Sequence, residues 1–216
     1  MTRNKENSEE RAYRSIVELI LNYEYKPGDF LLEVDLSSRL NMSRTPVSRA
    51  LARLVTEGFL ERMKKKGCYI PLPTPEDAQQ VFFAREAVAS YVASAVALRA
   101  TKNDIAHLRG VLEKEKQAFL SKNKREEAKL NEAFHLGLAR LSGNKYLQSC
   151  CRNLFWRSNL YIFYFDSFYR DAEMPQLTPA QHSGILDAIE ARDPELASQL
   201  MCKHIRRTYE ALIKMQ

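Results

Sequence analysis

The sequence predicts a mainly α-helical chain in two parts, and three observations carry that prediction. Apolar residues recur at helical spacing along nearly all of the 216 positions. Only residues 59–70 read differently, as two short strand-like runs around a basic turn that contains a glycine. Pro71, Pro73 and Pro75 then form a stiff break in the pattern. Three helices plus a β-hairpin are expected before the break, and an all-α antiparallel bundle of six or seven helices after it.

Composition supports a soluble globular protein: 45% of residues are hydrophobic, 28% are charged, and Gly and Pro are few. The net charge is +6, and its distribution matters more than its size. Between Arg39 and Tyr69, eight Lys or Arg face only Glu57 and Glu61, so this segment carries the whole excess. A basic patch this local points to a polyanion partner. No run approaches the roughly 18 apolar residues of a membrane span, and the polar first residues do not resemble a signal peptide. Cys68, Cys150, Cys151 and Cys202 lack the paired spacing of a zinc knuckle and read as idle or buried thiols. A cytoplasmic location with no membrane contact is expected.

Residues 1–10 are expected to be a polar, disordered tail and residues 11–72 a small domain. Ala12, Ile16, Leu19 and Ile20 predict a first amphipathic helix ending near Tyr25. Lys26-Pro27-Gly28-Asp29 is a turn, and Glu33 to Leu40 a short second helix. Asn41-Met42 leads to a third helix, which Ser43 can cap and Thr45-Pro46 can open. Val47, Ala50, Leu51 and Leu54 make its apolar back. Arg44, Arg49 and Arg53 leave the other way, alongside the hydroxyls of Ser43, Thr45 and Ser48. A major groove accepts a short helix of this kind, although a surface helix with solvated arginines has the same pattern. Two helices joined by so short a turn form a helix-turn-helix, with the second as reader. Phe59–Met63 and Cys68–Ile70 then make two strands around Lys64-Lys65-Lys66-Gly67, and a hairpin after a reading helix is a wing. Lys66 and Gly67 at its tip can approach a phosphate backbone closely; an ordinary solvated turn is the alternative.

Residues 73–77 are expected to be a linker and 78–216 the bundle. Thr74-Pro75-Glu76 opens a long helix carrying Val81, Phe82, Val88, Val92, Ala95 and Val96. A second helix opens at Asn103 or Asp104 and reaches about Leu120. A third runs from about Lys124 to Leu141 and is stopped by Gly143. Lys145 to Tyr169 is rich in aromatic residues and supplies core and dimer packing. Pro175 breaks the chain, Thr178-Pro179 restarts it, and Asp193-Pro194-Glu195 opens the last helix. Of the four histidines, three fall on three different helices of this bundle. His135 shares a face with Asn131, His182 lies early in the next-to-last helix, and His204 lies midway along the last. Imidazole is the commonest transition-metal ligand, yet scattered histidines are also ordinary core or surface residues.

Residues 11–70 resemble the winged helix of GntR-family bacterial transcription regulators. The shared features are Pro-Gly after the first helix, Ser-Arg-Thr-Pro-Val (43–47), and Glu-Gly-Phe-Leu (57–60) before the wing. The resemblance implies operator contacts from Arg44, from the hydroxyls of Ser43 and Thr45, and from Gly67. The family usually has Arg then Glu after Thr-Pro-Val, whereas this chain has Ser48 then Arg49. One helical step is about 100°, so Arg49 cannot simply replace the missing arginine. Residues 78–216 resemble the FCD effector domain of the FadR-type branch, through Asn-Glu-Ala-Phe-His-Leu (131–136), Ser-Gly-Asn (142–144), Gln-His-Ser-Gly-Ile-Leu-Asp-Ala-Ile (181–189) and His204. In metal-binding members an Asp and three His hold a divalent ion, such as zinc, that binds an organic-acid effector. His135, His182 and His204 match the three histidines, and Asn131 stands where the Asp should be. Arg85 matches an arginine at the effector cavity.

The resemblance implies a homodimeric, effector-responsive regulator, more often a repressor, bound to a two-fold DNA operator. A metal-free pocket using the same residues is the alternative at the histidines, and a surface salt bridge with Glu86 or Glu115 is the alternative for Arg85. Two other classes are weighed against the regulator. One is a metal-dependent helical-bundle enzyme, which needs a general base that no His-Glu-x-x-His pairing supplies. The other is a non-specific architectural DNA-binding protein, for which a long histidine-bearing second domain has no use.

Overall fold

The computed structural model describes residues 7–22, 24–164 and 174–213, and the chain divides into two compact units, Met1–Thr74 and Pro75–Gln216. In the first unit, α1 (Ser8–Leu21) is opened by Asn7, whose side chain accepts the Glu9 N–H at 3.2 Å. Glu9 and Glu10 occupy the first turn, where the helix dipole favours acids. The helix therefore starts inside the expected disordered tail of residues 1–10: a polar Asn-Ser-Glu-Glu run is also how a helix begins. Residues 1–6 lie outside the described residues. The buried face of α1, including Tyr13, Ile16 and Ile20, packs on α3 (Arg44–Thr56). From α3 come Val47, Ala50, Leu51 and Leu54, all essentially without solvent contact. Burying each leucine there stabilises the unit by about 1.5–3 kcal/mol. Between the two lies α2 (Glu33–Arg39), which joins α3 through Asn41 at φ 49°, a left-handed turn that lets the Met42 N–H reach the Ser37 carbonyl at 3.0 Å.

The hairpin forms as β2 (Glu61–Met63) and β3 (Gly67–Tyr69), antiparallel, with Met63 opposite Gly67. The sequence reading missed a third strand, β1 (Phe30–Leu31), which pairs with β3 and gives the order β1-β3-β2. Two residues after a Pro-Gly turn are too few to show alternation. Gly67, expected at the tip, instead opens β3 opposite Met63 of β2. Its φ is 108°, and a Cβ there would sit 3.4 Å from Leu32 Cδ2, so the sheet itself requires glycine. The tip is Lys64–Lys66, with Lys65 at φ 68°.

The second unit holds six helices among its described residues. α4 (Pro75–Ala97) takes residues 75–77, expected as linker, into its first turn. α5 (Lys102–Leu120) is opened by a reciprocal capping box between Thr101 and Asp104, slightly earlier than expected. α6 (Lys124–Leu141) is capped by Asn123 and followed by Gly143 at φ 66°, the left-handed stop read from the sequence. α7 (Lys145–Tyr164) carries the aromatic run; Phe165 and Phe168 lie outside the described residues. α8 (Met174–Glu190) contradicts the expected break at Pro175 and restart at Pro179, because it runs through Pro179. Pro175 falls in the first turn, where its missing N–H has no intrahelical role, and Pro179 removes only one bond near the helix start. α9 (Pro194–Ile213) begins at Asp193, whose carboxylate accepts the Leu196 N–H at 2.9 Å. α4 packs most extensively on α9 and then on α7, while α5 packs on α6 and α8. Their shared core includes Phe82, Val96, Phe134, Ile185, Ile189 and Met201.

Candidate DNA-contact face and histidine centre

In the first unit, Ser43, Arg44, Thr45 and Arg49 are exposed at the start and front of α3. Ser43 occupies the N-cap position, but its hydroxyl makes no capping hydrogen bond. The hydroxyl and the free N–H groups of the first turn are therefore open to an anion, which a helix N-terminus favours. Ser48 is half-buried and donates to Glu33 Oε1 of α2 at 2.8 Å. Lys64, Lys65, Lys66 and Gly67 are exposed on the hairpin.

Arg53 departs from its expected place on this face. Its guanidinium donates to Glu10 at 2.7 Å and to Glu57 at 3.0 Å, and lies 4.0 Å from the Tyr13 ring centre. Two carboxylates and an aromatic ring hold it, so it ties α3 to α1.

In the second unit, His135 of α6, His182 of α8 and His204 of α9 converge, all buried. His204 Nε2 lies 3.3 Å from the Nε2 of His182 and 3.3 Å from the Nε2 of His135. Away from this meeting point, His182 Nδ1 lies 2.9 Å from Glu115 Oε2, and His204 Nδ1 lies 2.8 Å from Gln181 Oε1. Phe134 closes one side with its ring centre 4.5 Å from that of His182. Burial, and then the nearby Arg85 charge, pushes His182 down to about 3. His135 and His204 also fall well below the usual range, chiefly through burial. Burial pushes Glu115 up to about 8. At neutral pH the three rings are uncharged with lone pairs available, and the Glu115–His182 contact is a hydrogen bond between neutral partners, not an ion pair.

These nitrogens suit a divalent metal. A tetrahedral zinc with bonds of about 2.0–2.1 Å places its nitrogen ligands about 3.3–3.4 Å apart, the spacing from His204 Nε2 to each of the other two Nε2 atoms. The Nδ1 partners hold the rings in orientation, as the outer residues of metal sites do. Asn131, half-buried one turn before His135, supplies no charge, so the donor set is three neutral imidazoles. The sequence reading missed Glu115 and Gln181 as members of this centre. Glu115 left one signal: it interrupts the apolar stripe Leu108, Leu112, Ala118 that α5 buries.

Arg85 is buried on α4, which rules out the surface salt bridge weighed for it. Glu86 pairs with Arg206 at 2.6 Å, and Glu115 is taken by His182. Arg85 instead donates from Nη1 to Ser158 Oγ at 2.7 Å and lies over the Phe155 ring at 4.9 Å. Burial lowers it to about 10, still protonated at neutral pH. Arg85 and His135 both line one cleft, and among the described residues no carboxylate faces Arg85 there.

A winged helix-turn-helix with a separate all-α domain around a buried histidine centre defines a class, that of transcription regulators whose DNA-binding and helical domains are distinct. The comparisons with known proteins give the family. Residues 8–70 match the bacterial regulatory proteins of the gntR family and residues 80–207 match the FCD domain, so the chain belongs to the GntR family in its FCD-containing branch. The Nta operon transcriptional regulator of Aminobacter aminovorans is 30% identical over 201 residues, covering 91% of this chain and 90% of that protein. The HTH-type transcriptional repressor RspR of Escherichia coli is 24% identical over 203 residues, covering 94% and 88%. Among solved structures, E. coli McbR/YncC matches with a TM-score of 0.85 at 21% identity over 96% of this chain and 98% of that one, a likeness of fold. The protein is thus a DNA-binding transcription regulator and not an enzyme. No helix among the described residues is long and apolar enough to cross a membrane.

Proposed function

We propose that the protein is a cytoplasmic repressor that binds a two-fold operator as a homodimer and releases it when a small organic acid enters the bundle. The observation that carries the sensing half is the convergence of three buried imidazoles, with His204 Nε2 at 3.3 Å from the Nε2 of both His182 and His135. His135, His182 and His204 would hold a divalent ion such as zinc, which would supply a Lewis-acidic point for a carboxylate. The residues of the chain do the rest. Glu115 and Gln181 keep two of the imidazoles in the tautomer that turns a lone pair inward, and Arg85 offers a second positive charge to the acid. On the DNA side, Arg44, Thr45, Ser43 and Arg49 would read the major groove while the lysine tip around Lys66, beside Gly67, meets phosphates. Acid binding need shift the equilibrium between dimer forms by only about 1–3 kcal/mol to change operator affinity usefully. A repressor sense agrees with the relative RspR being a transcriptional repressor.

The test is elemental analysis of untagged, chelator-free protein beside a His135→Ala/His182→Ala variant, followed by operator titration with carboxylic acids. About one ion per chain, lost in the variant, supports the centre; no ion in the wild type overturns the metal. An acid that binds while operator affinity stays constant overturns the switch. A metal-free pocket is the second reading, and Glu115 favours it. A protonated Glu115 can donate to His182 Nδ1 and leave the His182 Nε2–H to bond His204, which closes the network without a cation.

A further inference from the structure

Eleven residues of α4, α6, α7 and α9 line the cleft beside the histidine centre. Only Arg85, His135 and Cys151 among them carry polar side-chain atoms; the others are Ala, Val, Leu, Phe and Met. The cleft is small and partly open to solvent. Its polar groups are also unevenly placed. Arg85 spends one N–H on Ser158 and keeps the rest of its donor fork for an anion. The Cys151 thiol is a weak donor that burial keeps protonated. No side-chain hydroxyl, amide or carboxylate faces the cleft from the residues that line it.

From this division of chemistry we infer that the effector is a small monocarboxylic acid with an apolar body, its carboxylate at Arg85 and its hydrocarbon part against the walls that Val92, Leu154 and Met201 provide. A fully buried arginine without an acidic neighbour is costly to leave unpaired, and a ligand carboxylate meets its fork in the bidentate geometry that arginine prefers. Beyond the carboxylate, apolar area gains from leaving water. A polyhydroxy acid of the same length would bring hydroxyls that must leave water and find no partner on these walls. The inference rests on reading the bundle as the acid-sensing domain, and it narrows the class of acid.

The test uses the full-length protein, zinc-loaded and chelator-treated in parallel, titrated calorimetrically with two matched sets. One set is the straight-chain acids from butanoate to octanoate; the other is gluconate and glucuronate. The expected result is that the best alkanoate binds at least tenfold more tightly than either polyhydroxy acid. Arg85→Gln, with folding checked by circular dichroism, should lose at least tenfold of that affinity. Equal or tighter binding of gluconate or glucuronate overturns the apolar-body assignment and leaves acid sensing standing. Binding of neither set, in either metal state, overturns both.

Discussion

Arg44, Thr45 and Arg49 stand on the solvent side of α3 with no described residue bonded to their side chains, whereas His135, His182 and His204 are buried with two of the three rings also held from behind. The two regions spend polar chemistry in opposite ways. On α3, cations in water cost the fold nothing and wait for a partner that brings its own negative charge. In the bundle, each polar atom has been taken out of water and must be bonded internally, so recognition and stability share the same residues. Removing a side chain should therefore separate binding from folding on α3 and confound them at the histidines.

The largest effect expected on the buried side comes from Phe134, which has no solvent exposure and packs its ring against those of His182 and His135. Phe134→Ala should destabilise the bundle by about 3–5 kcal/mol, measured by denaturant unfolding, and any ion found in the wild type should be lost with it. An unfolding midpoint within error of wild type would show that the centre does not depend on this packing.

On the exposed side, Arg44→Ala should weaken operator binding about 5- to 150-fold, the value of one good base contact of about 1–3 kcal/mol. Its stability should stay within about 0.5 kcal/mol of wild type. Arg53→Ala, nine positions further along the same helix, should do the reverse. Losing its bonds to Glu10 and Glu57 should cost about 1–2 kcal/mol of stability, discounted because the pair is partly solvated. Operator affinity of the folded protein should change less than about threefold. Parallel affinity losses in the two variants would return Arg53 to the reading face and erase the contrast drawn between it and Arg44.

That pair of arginines also shows what a sequence can and cannot reveal. Both lie off the apolar face of α3, and helical spacing alone makes them equals. Glu57, one turn after Arg53, was a local hint, but Glu10 is far away in the chain and only the packing of α1 on α3 brings it near. Gly67 differs in another way: a lysine-rich run ending in glycine reads as turn throughout, whereas the hairpin register pairs Gly67 with Met63 and makes it the first residue of β3. Pro179 misled differently: a proline marks a helix start only as a preference, and the chain tolerated it in the second turn of α8. The two-part architecture was legible because apolar periodicity and the break at Pro71–Pro75 are local signals. At the centre, the three histidines could be placed on separate helices from spacing, and resemblance joined them. Glu115 was seen only as a possible partner for Arg85, because which buried acid meets which buried base is decided by helix packing.

A last effect lies within the centre, and it sharpens the contrast by asking whether buried polar groups set the pH range of folding when no metal is present. His182 has its folded value pushed from the ordinary 6.5 to about 3. The fold favours its neutral form, so that stabilisation is present above about pH 6.5 and is lost as pH falls toward 3. Glu115 moves the other way, from 4.5 to about 8. Its contribution is complete below pH 4.5 and is lost as pH rises through 8. Chelator-treated protein should therefore be most stable between these limits, and the Glu115→Gln variant should keep the acid-side loss while flattening the alkaline one. Melting temperatures from pH 4 to 9 measure this directly, with the wild type expected to fall further than Glu115→Gln at the alkaline end. Wild type and Glu115→Gln falling in parallel above pH 5 would mean that the carboxyl is already ionised in the fold. The bundle would then treat its polar groups much as α3 treats its arginines.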